Sequence, residues 1–323
     1  MNIRNIAELA GCSPSTVSRV LAGKSSSIQI SAETKEKILA VCREHDYEPS
    51  IHASRFFSNK SGTIGFLTPA GEKLEDDNLA RVMSTVYAEL PGLGYRMLPL
   101  AMNSEFVSGQ ECLRLFRRKE IDALMIWGVA DNAVWIDELA ARELPFILLT
   151  NRYKNHLSVS CDDIYGIKHM ISHCQSRGAK SFVYISVGSG DCCERRRQAF
   201  CDAVPNGSMQ IIAGGVSVED GERAAAQVIR KRPDAAICGN DRLAIGLIKG
   251  LLAAGLKVPD DMLVTGADNI ELAEYCGVPL TTFDQMATSC ARKALELIMK
   301  RLKNGRSPQS AIIKPQICIR DSA

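Results

Sequence analysis

The chain has 323 residues, too many for one small domain and enough for two or three compact units. Hydrophobic residues make up 46% and charged residues 24%, which suits a water-facing protein with a real core. No run of about 18 apolar residues occurs, so no membrane-spanning helix is expected. The net charge of +2 is unevenly placed: residues 1–60 carry eight Lys/Arg against six Asp/Glu, and the remainder is balanced. That excess is a weak pointer to a polyanionic partner at the N-terminus.

Met1-Asn2-Ile3-Arg4 leads directly into an amphipathic pattern without an apolar signal segment, so a cytoplasmic location is expected. Twelve cysteines are present, ten of them scattered singly. Free thiols acting as small core residues are expected, and no metal knuckle is spaced correctly. Cys192 and Cys193 are adjacent and neighbour a run of arginines, which makes them the one pair to test for redox behaviour.

Residues 3–10 place Ile3, Ile6 and Ala10 at helical spacing, and Gly11 stops that helix. Ser13 supplies a capping hydroxyl and Pro14 a first helical residue for a second helix running to Leu21. Two short helices joined by a tight turn form a helix-turn-helix. Val17 and Val20 face back onto Ile6, Ala10 and Cys12, leaving Ser15, Thr16, Ser18 and Arg19 on the outer side. Hydroxyls and a guanidinium suit phosphates and base edges of a major groove. A solvated helical hairpin is the bland alternative.

The segment Ile6-Ala-Glu-Leu-Ala-Gly11-Cys-Ser-Pro-Ser-Thr16-Val-Ser-Arg-Val-Leu21 closely resembles the head of the lactose/galactose repressor (LacI/GalR) family, and Ser31–Ile38 fits the opening of its third helix, which ends near Tyr47-Glu48-Pro49. The resemblance implies that the second helix reads operator DNA. It makes Ser13, Pro14, Ser15, Thr16, Ser18 and Arg19 the contact residues, with Pro14 and Ser15 at the variable specificity positions. The connection Ala22–Ile30 is longer and richer in serine than the family pattern. Residues 49–60 match the family's hinge, where a short helix orders on the operator and an apolar side chain wedges into the minor groove. Phe56 stands at the wedge position and the small Ala53 permits close helix approach. A plain linker is the alternative.

From Ser61 onward, short apolar runs alternate with amphipathic stretches. Strands are expected at 64–68, 95–100, 123–127, 146–150, 182–187, 235–238, 262–265 and 312–319. Helices are expected at 105–119, 164–177, 221–232, 243–255 and 285–303. This alternation means α/β architecture with parallel sheets covered by helices. The family resemblance implies two lobes like a periplasmic sugar-binding protein, with a ligand cleft between them. The expected organisation is therefore a three-helix head at 1–48, a hinge at 49–61 and a two-lobed sensor and dimerisation domain at 62–323.

Sensor motifs resemble the family residue by residue. Val159–Asp163, Arg195–Phe200, Cys238–Gly246, Gly266–Asn269, Pro279–Thr282 and Cys318–Ser322 all match. The resemblance implies that Asn151, Arg196, Asn240 and Asp268 bind the effector, whereas helix capping is the preferred role for Asp162 and Asp163. Such groups suit a polyhydroxylated ligand, a sugar or sugar derivative, and the arginine run favours an acidic or phosphorylated one. Two departures stand out: Val216 replaces a stacking aromatic, and Asp76-Asp77-Asn78-Leu79 replaces the motif after the first strand. Trp127 and Trp135 could compensate or could equally be core.

No GxGxxG, P-loop, GxSxG or His-Glu metal pattern appears, and the five histidines do not cluster with catalytic partners, so no enzyme, cofactor or metal is expected. The rival readings are an α/β enzyme or small-molecule binder without DNA binding, and a transport binding protein, against which the missing signal and the extra head argue. A homodimer on near-palindromic operator DNA is expected, without a heptad tail for a tetramer. Effector sign, operator sequence and target genes stay open.

Overall fold

The computed structural model describes residues 1–21, 30–47, 60–69, 76–108, 110–129, 133–205, 209–305 and 308–323. Its contacts divide the chain into two compact units: Met1–Thr63 with Arg114–Asp122, and Ile64–Leu113 with Ala123–Ala323.

In the first unit, α1 (Ile3–Ala10), α2 (Pro14–Leu21) and α3 (Ala32–Glu44) surround a small apolar core. Each start is capped by a side chain. Asn2 accepts from the Arg4 and Asn5 amides, Ser13 Oγ from the Thr16 amide at 3.1 Å, and Ser31 Oγ from the Thr34 amide at 3.1 Å. Gly11 ends α1 at φ +67°, a conformation that costs a side chain with a Cβ about 1–2 kcal/mol. Ile6, Ala7, Ala10, Val17, Val20, Ile38 and Cys42 form the core. Ala7 is small enough to let α1 and α3 approach. Further along, Asp122 accepts from the Ser61 and Gly62 amides at 2.8 Å each.

After the head, the chain runs through β1 (Thr63–Pro69), α4 (Asp77–Glu89), β2 (Arg96–Met102), α5 (Ser104–Val107) and α6 (Gln110–Arg117). It continues through β3 (Ala123–Trp127), α7 (Val134–Ala141), β4 (Phe146–Leu149) and β5 (Ser158–Cys161). Next come α8 (Asp163–Ser176), β6 (Phe182–Ser186), α9 (Asp191–Ala203), β7 (Met209–Ala213), α10 (Val218–Lys231) and β8 (Ala235–Cys238). The last stretch is α11 (Asp241–Ala253), β9 (Leu263–Thr265), α12 (Leu272–Tyr275), β10 (Thr282–Asp284), α13 (Ala287–Asn304), β11 (Ala311–Ile313) and β12 (Gln316–Cys318).

These elements build two lobes. One holds a six-stranded sheet ordered β11-β5-β4-β3-β1-β2, with the core residues of α4 and α13 packed on one face. The other holds a four-stranded parallel sheet ordered β7-β6-β8-β9, with α10 and α11 on one face and α8 and α9 on the other. Central strands such as β3, β4 and β8 are buried throughout, as expected where helices cover both faces of a parallel sheet. The chain passes between lobes three times: from β5 into α8, from β10 into α13, and from β11 into β12.

Several expectations shift. The single strand at 312–319 is two strands in different sheets, because Lys314-Pro315 interrupts the ladder with a residue lacking an N–H. The helix at 105–119 is split into α5 and α6. Strands β5, β7 and β10 carry little apolar alternation and do not stand out in the sequence. Trp127 lies within the apolar core of the first lobe, and Trp135 is buried as well.

Candidate functional sites in the head and the sensor cleft

On the head, Ser13, Pro14, Ser15 and Arg19 are exposed along the start and outer face of α2, and Thr16 is half-buried. Ser13 and Thr16 hydroxyls lie 2.9 Å apart, so the cap orders both side chains. Ser18 does not face outward as expected. It is buried. Ala53 and Phe56 lie outside the described residues.

In the sensor, the three crossings concentrate charged residues. Asp162 caps α8, accepting from the Tyr165 amide at 3.0 Å, as the sequence suggested. Asp163 does something else. It is 1% exposed and receives Arg196 Nε on Oδ1 at 2.8 Å and Arg195 Nη2 on Oδ2 at 2.6 Å. Arg196, itself buried, also donates to the Gly239 carbonyl at 2.6 Å and lies 3.7 Å from Asp268. Burial opposes its charge, but Asp163 and Asp268 outweigh burial and raise its pKa. Arg195 donates as well to Asp191 and to the Thr150 carbonyl, and Arg197 pairs with Glu194 on the surface. Arg195 and Arg196 thus meet the chain's own carboxylates and carbonyls, while the buried Arg195 Nε has no hydrogen-bond partner among the described residues.

Asp268 sits at φ +126° after β9. Its amide donates to the Phe283 carbonyl at 2.9 Å, and its Oδ1 accepts from Gln285 Nε2. Burial pushes its carboxyl well above the carboxylate range; Arg196 pulls it back, while Asp241 and Asp76 add to the rise. Asn240 caps α11, its Oδ1 accepting from the Leu243 amide at 2.8 Å and its Nδ2 donating to the Val216 carbonyl at 3.1 Å, so both polar ends are engaged within the lobe. Asn151 follows β4. Its Nδ2 donates to the Val129 carbonyl at 2.9 Å, and its buried Oδ1 has no hydrogen-bond partner among the described residues. That Nδ2 also lies against Gly190, where a Cβ would come within 3.3 Å, so Asn151 meets the start of α9 in the other lobe.

The structure thus joins Arg196, Asp268 and the Gly239-Asn240 turn, and sets Asn151 beside the helix that carries Arg196. Sequence reasoning missed Asp163 and Gln285. Two acids opening one helix were a usable signal, since one cap needs only one of them. Of the departures from the family pattern, Asp76 caps α4, Asp77 pairs with Arg242 at 2.9 Å, Leu79 is core, and Asn78 is buried with its Oδ1 unpartnered among the described residues. Val216 is exposed.

Residues 2–50 match the helix-turn-helix family described as bacterial regulatory proteins, lacI family, and residues 171–323 match a periplasmic binding protein-like domain. The chain thus carries a lacI-family helix-turn-helix domain followed by a periplasmic binding protein-like domain. This regulator is 29% identical to the HTH-type transcriptional repressor PurR of Photobacterium profundum, over 99% of this chain and 98% of that one. In fold, it resembles the Lac repressor dimer bound to operator and the anti-inducer ONPF, with a TM-score of 0.84 at 20% identity over 100% of this chain and 98% of that one. It also resembles the transcriptional regulator CelR in complex with cellobiose, with a TM-score of 0.73 at 18% identity over the full length of both. The regulator is a DNA-binding transcription factor with an effector-binding sensor. Among the described residues, no helix is long and apolar enough to cross a membrane.

Proposed function

We propose that the protein is a cytoplasmic homodimeric repressor, not an enzyme, whose affinity for near-palindromic operator DNA is set by a small sugar-like effector held between the sensor lobes. The expected domain limits, 1–48, 49–61 and 62–323, are part of this reading. Ser13, Pro14, Ser15, Thr16, Ser18 and Arg19 position α2 on the operator, with Ala53 and Phe56 acting at the hinge. Ser18, being buried, acts by fixing α2 on the head. Asn151, Arg196, Asn240 and Asp268 frame the effector.

The observation that carries the effector reading is the pair of buried, unpartnered amide oxygens, Asn78 Oδ1 and Asn151 Oδ1. An unmet buried acceptor costs about 1–3 kcal/mol, which a ligand hydroxyl returns on binding. Because Asp163, Asp191 and Asp268 already face Arg195 and Arg196, a neutral polyol fits better than a sugar acid or phosphate. One fold neighbour, CelR, is complexed with the neutral sugar cellobiose. The test is a thermal-shift panel of neutral sugars, sugar acids, sugar phosphates and purines, since a ligand of the folded state raises the melting temperature by mass action. A shift from neutral sugars that Asn151→Leu removes supports the reading. A shift confined to the anionic compounds overturns the ligand class.

A further inference from the structure

We infer that Cys192 and Cys193 form a vicinal dithiol site for a trivalent thiophilic electrophile of the organoarsenic class. The two residues occupy the first turn of α9, and their sulfurs lie 3.8 Å apart, both partly buried. Among the described residues, no other pair of cysteines makes a sulfur–sulfur contact, and Cys42, Cys112, Cys161, Cys174, Cys238 and Cys290 are buried.

The pair is chemically unequal. The hydrogen bond from Cys192 is the largest influence on Cys193 and, with Arg196 adding its charge against the opposing effect of burial, lowers that thiol to about 7. The same hydrogen bond and burial hold Cys192 protonated. Burial pushes the Cys112, Cys174 and Cys290 thiols the other way, to about 12. Cys193 is therefore the entering nucleophile and Cys192 the thiol that follows.

Geometry decides what the pair can take. A disulfide needs sulfurs about 2.05 Å apart and Cα atoms at least about 4.4 Å apart. Consecutive Cα atoms across a trans peptide are about 3.8 Å apart, and α9 holds both residues helical. Direct pairing would break the first turn. A single trivalent atom bonded to both sulfurs spans the gap and leaves the helix intact. In the condensation, R–As(OH)2 loses both hydroxyls: two As–S bonds form, two As–O bonds and two S–H bonds break, and two waters leave. No electrons are transferred, so no oxidant is required. The inference is independent of the sugar-effector reading.

The experiment treats the full-length protein with one equivalent of phenylarsine oxide in excess 2-mercaptoethanol and reads intact mass, followed by peptide mapping. One adduct should persist on the wild type, shield Cys192 and Cys193 from iodoacetamide, and leave on addition of a 1,2-dithiol. Closing the second bond within one protein should raise the monothiol concentration needed to strip the adduct about 100-fold over C192S or C193S. The iodoacetamide readout needs no variant, so misfolding of either substitution does not protect the inference. A wild-type adduct stripped as easily as that of the variants, or one mapped to other cysteines, overturns it.

Discussion

Asp77 and Arg242 are 165 residues apart in sequence and 2.9 Å apart in space, and they join the N-terminus of α4 in one lobe to α11 in the other. Arg81, one turn further along α4, donates to the Asn269 carbonyl at 2.9 Å. The two contacts make α4 a latch across the cleft, and α4 also carries the unpartnered Asn78. Both members of the ion pair are about a third or more exposed, so solvent screening holds its worth to about 0.2–1 kcal/mol. That suffices to bias a lobe equilibrium without locking it.

The latch should therefore tune ligand binding more than stability. D77N and R242M should each weaken effector affinity by roughly two- to fivefold, with the double variant no weaker than either single one. Calorimetric titration of the four proteins, using whichever sugar the thermal-shift panel identifies, checks this. Strictly additive losses would show that the two residues act separately.

Asp163 is the opposite case. It is buried and shared by two buried or nearly buried guanidinium groups. Removing one partner of a buried pair strands the other charge, at a cost of about 3–5 kcal/mol. Urea unfolding of D163A should show a loss of that size. D163L/R196M, which removes the stranded Arg196 charge, should recover part of it. A D163A loss below about 1 kcal/mol would return this residue to the simple capping role that the sequence suggested.

Asp241 makes a pH prediction. Burial raises its carboxyl from 3.8 to about 6, against the pull of hydrogen bonds from Thr282 Oγ1 at 2.5 Å and the Ile270 amide at 2.9 Å. Its folded pKa lies above its unfolded one, so in the window between the two the folded protein binds the extra proton. Stability from this group is complete below the unfolded value and is lost as pH rises through about 6. The effect amounts to roughly 2–3 kcal/mol at about 1.4 kcal/mol per pH unit. Chemical denaturation across this range should show that falling component, and D241N should flatten it. An unchanged slope in D241N would assign the titration to another group.

Gly246 tests the closest helix contact. A Cβ at this position of α11 would lie 1.9 Å from the Val218 carbonyl oxygen of α10, and backbone cannot step aside as a side chain can. G246A should destabilise the sensor by at least about 1–3 kcal/mol through overpacking, despite the better helix propensity of alanine. Thermal unfolding of G246A beside G250A makes the comparison. At Gly250 the first obstacle is the Ala225 methyl at 2.5 Å, so the smaller loss belongs there.

Local sequence determined the head almost completely. Helix starts at Pro14 and Ala32, the turn at Gly11 and the core of Ile6, Val17 and Val20 all follow from caps and spacing within a few residues. It also determined the strongly apolar strands, Ala123–Trp127 and Ala235–Cys238, whose burial on both faces leaves an unbroken hydrophobic run. Tertiary structure alone decided the rest. Ser158–Cys161 becomes a strand because it is gripped between β4 and β11, not because its own residues demand it. Ser18 is buried in the folded head, and Asp163 meets Arg195 and Arg196 because three crossings bring distant segments to one place. A single chain position records the charge of a residue and its local spacing. That Asp163 meets Arg195 and Arg196 is set by contacts between residues more than thirty positions apart.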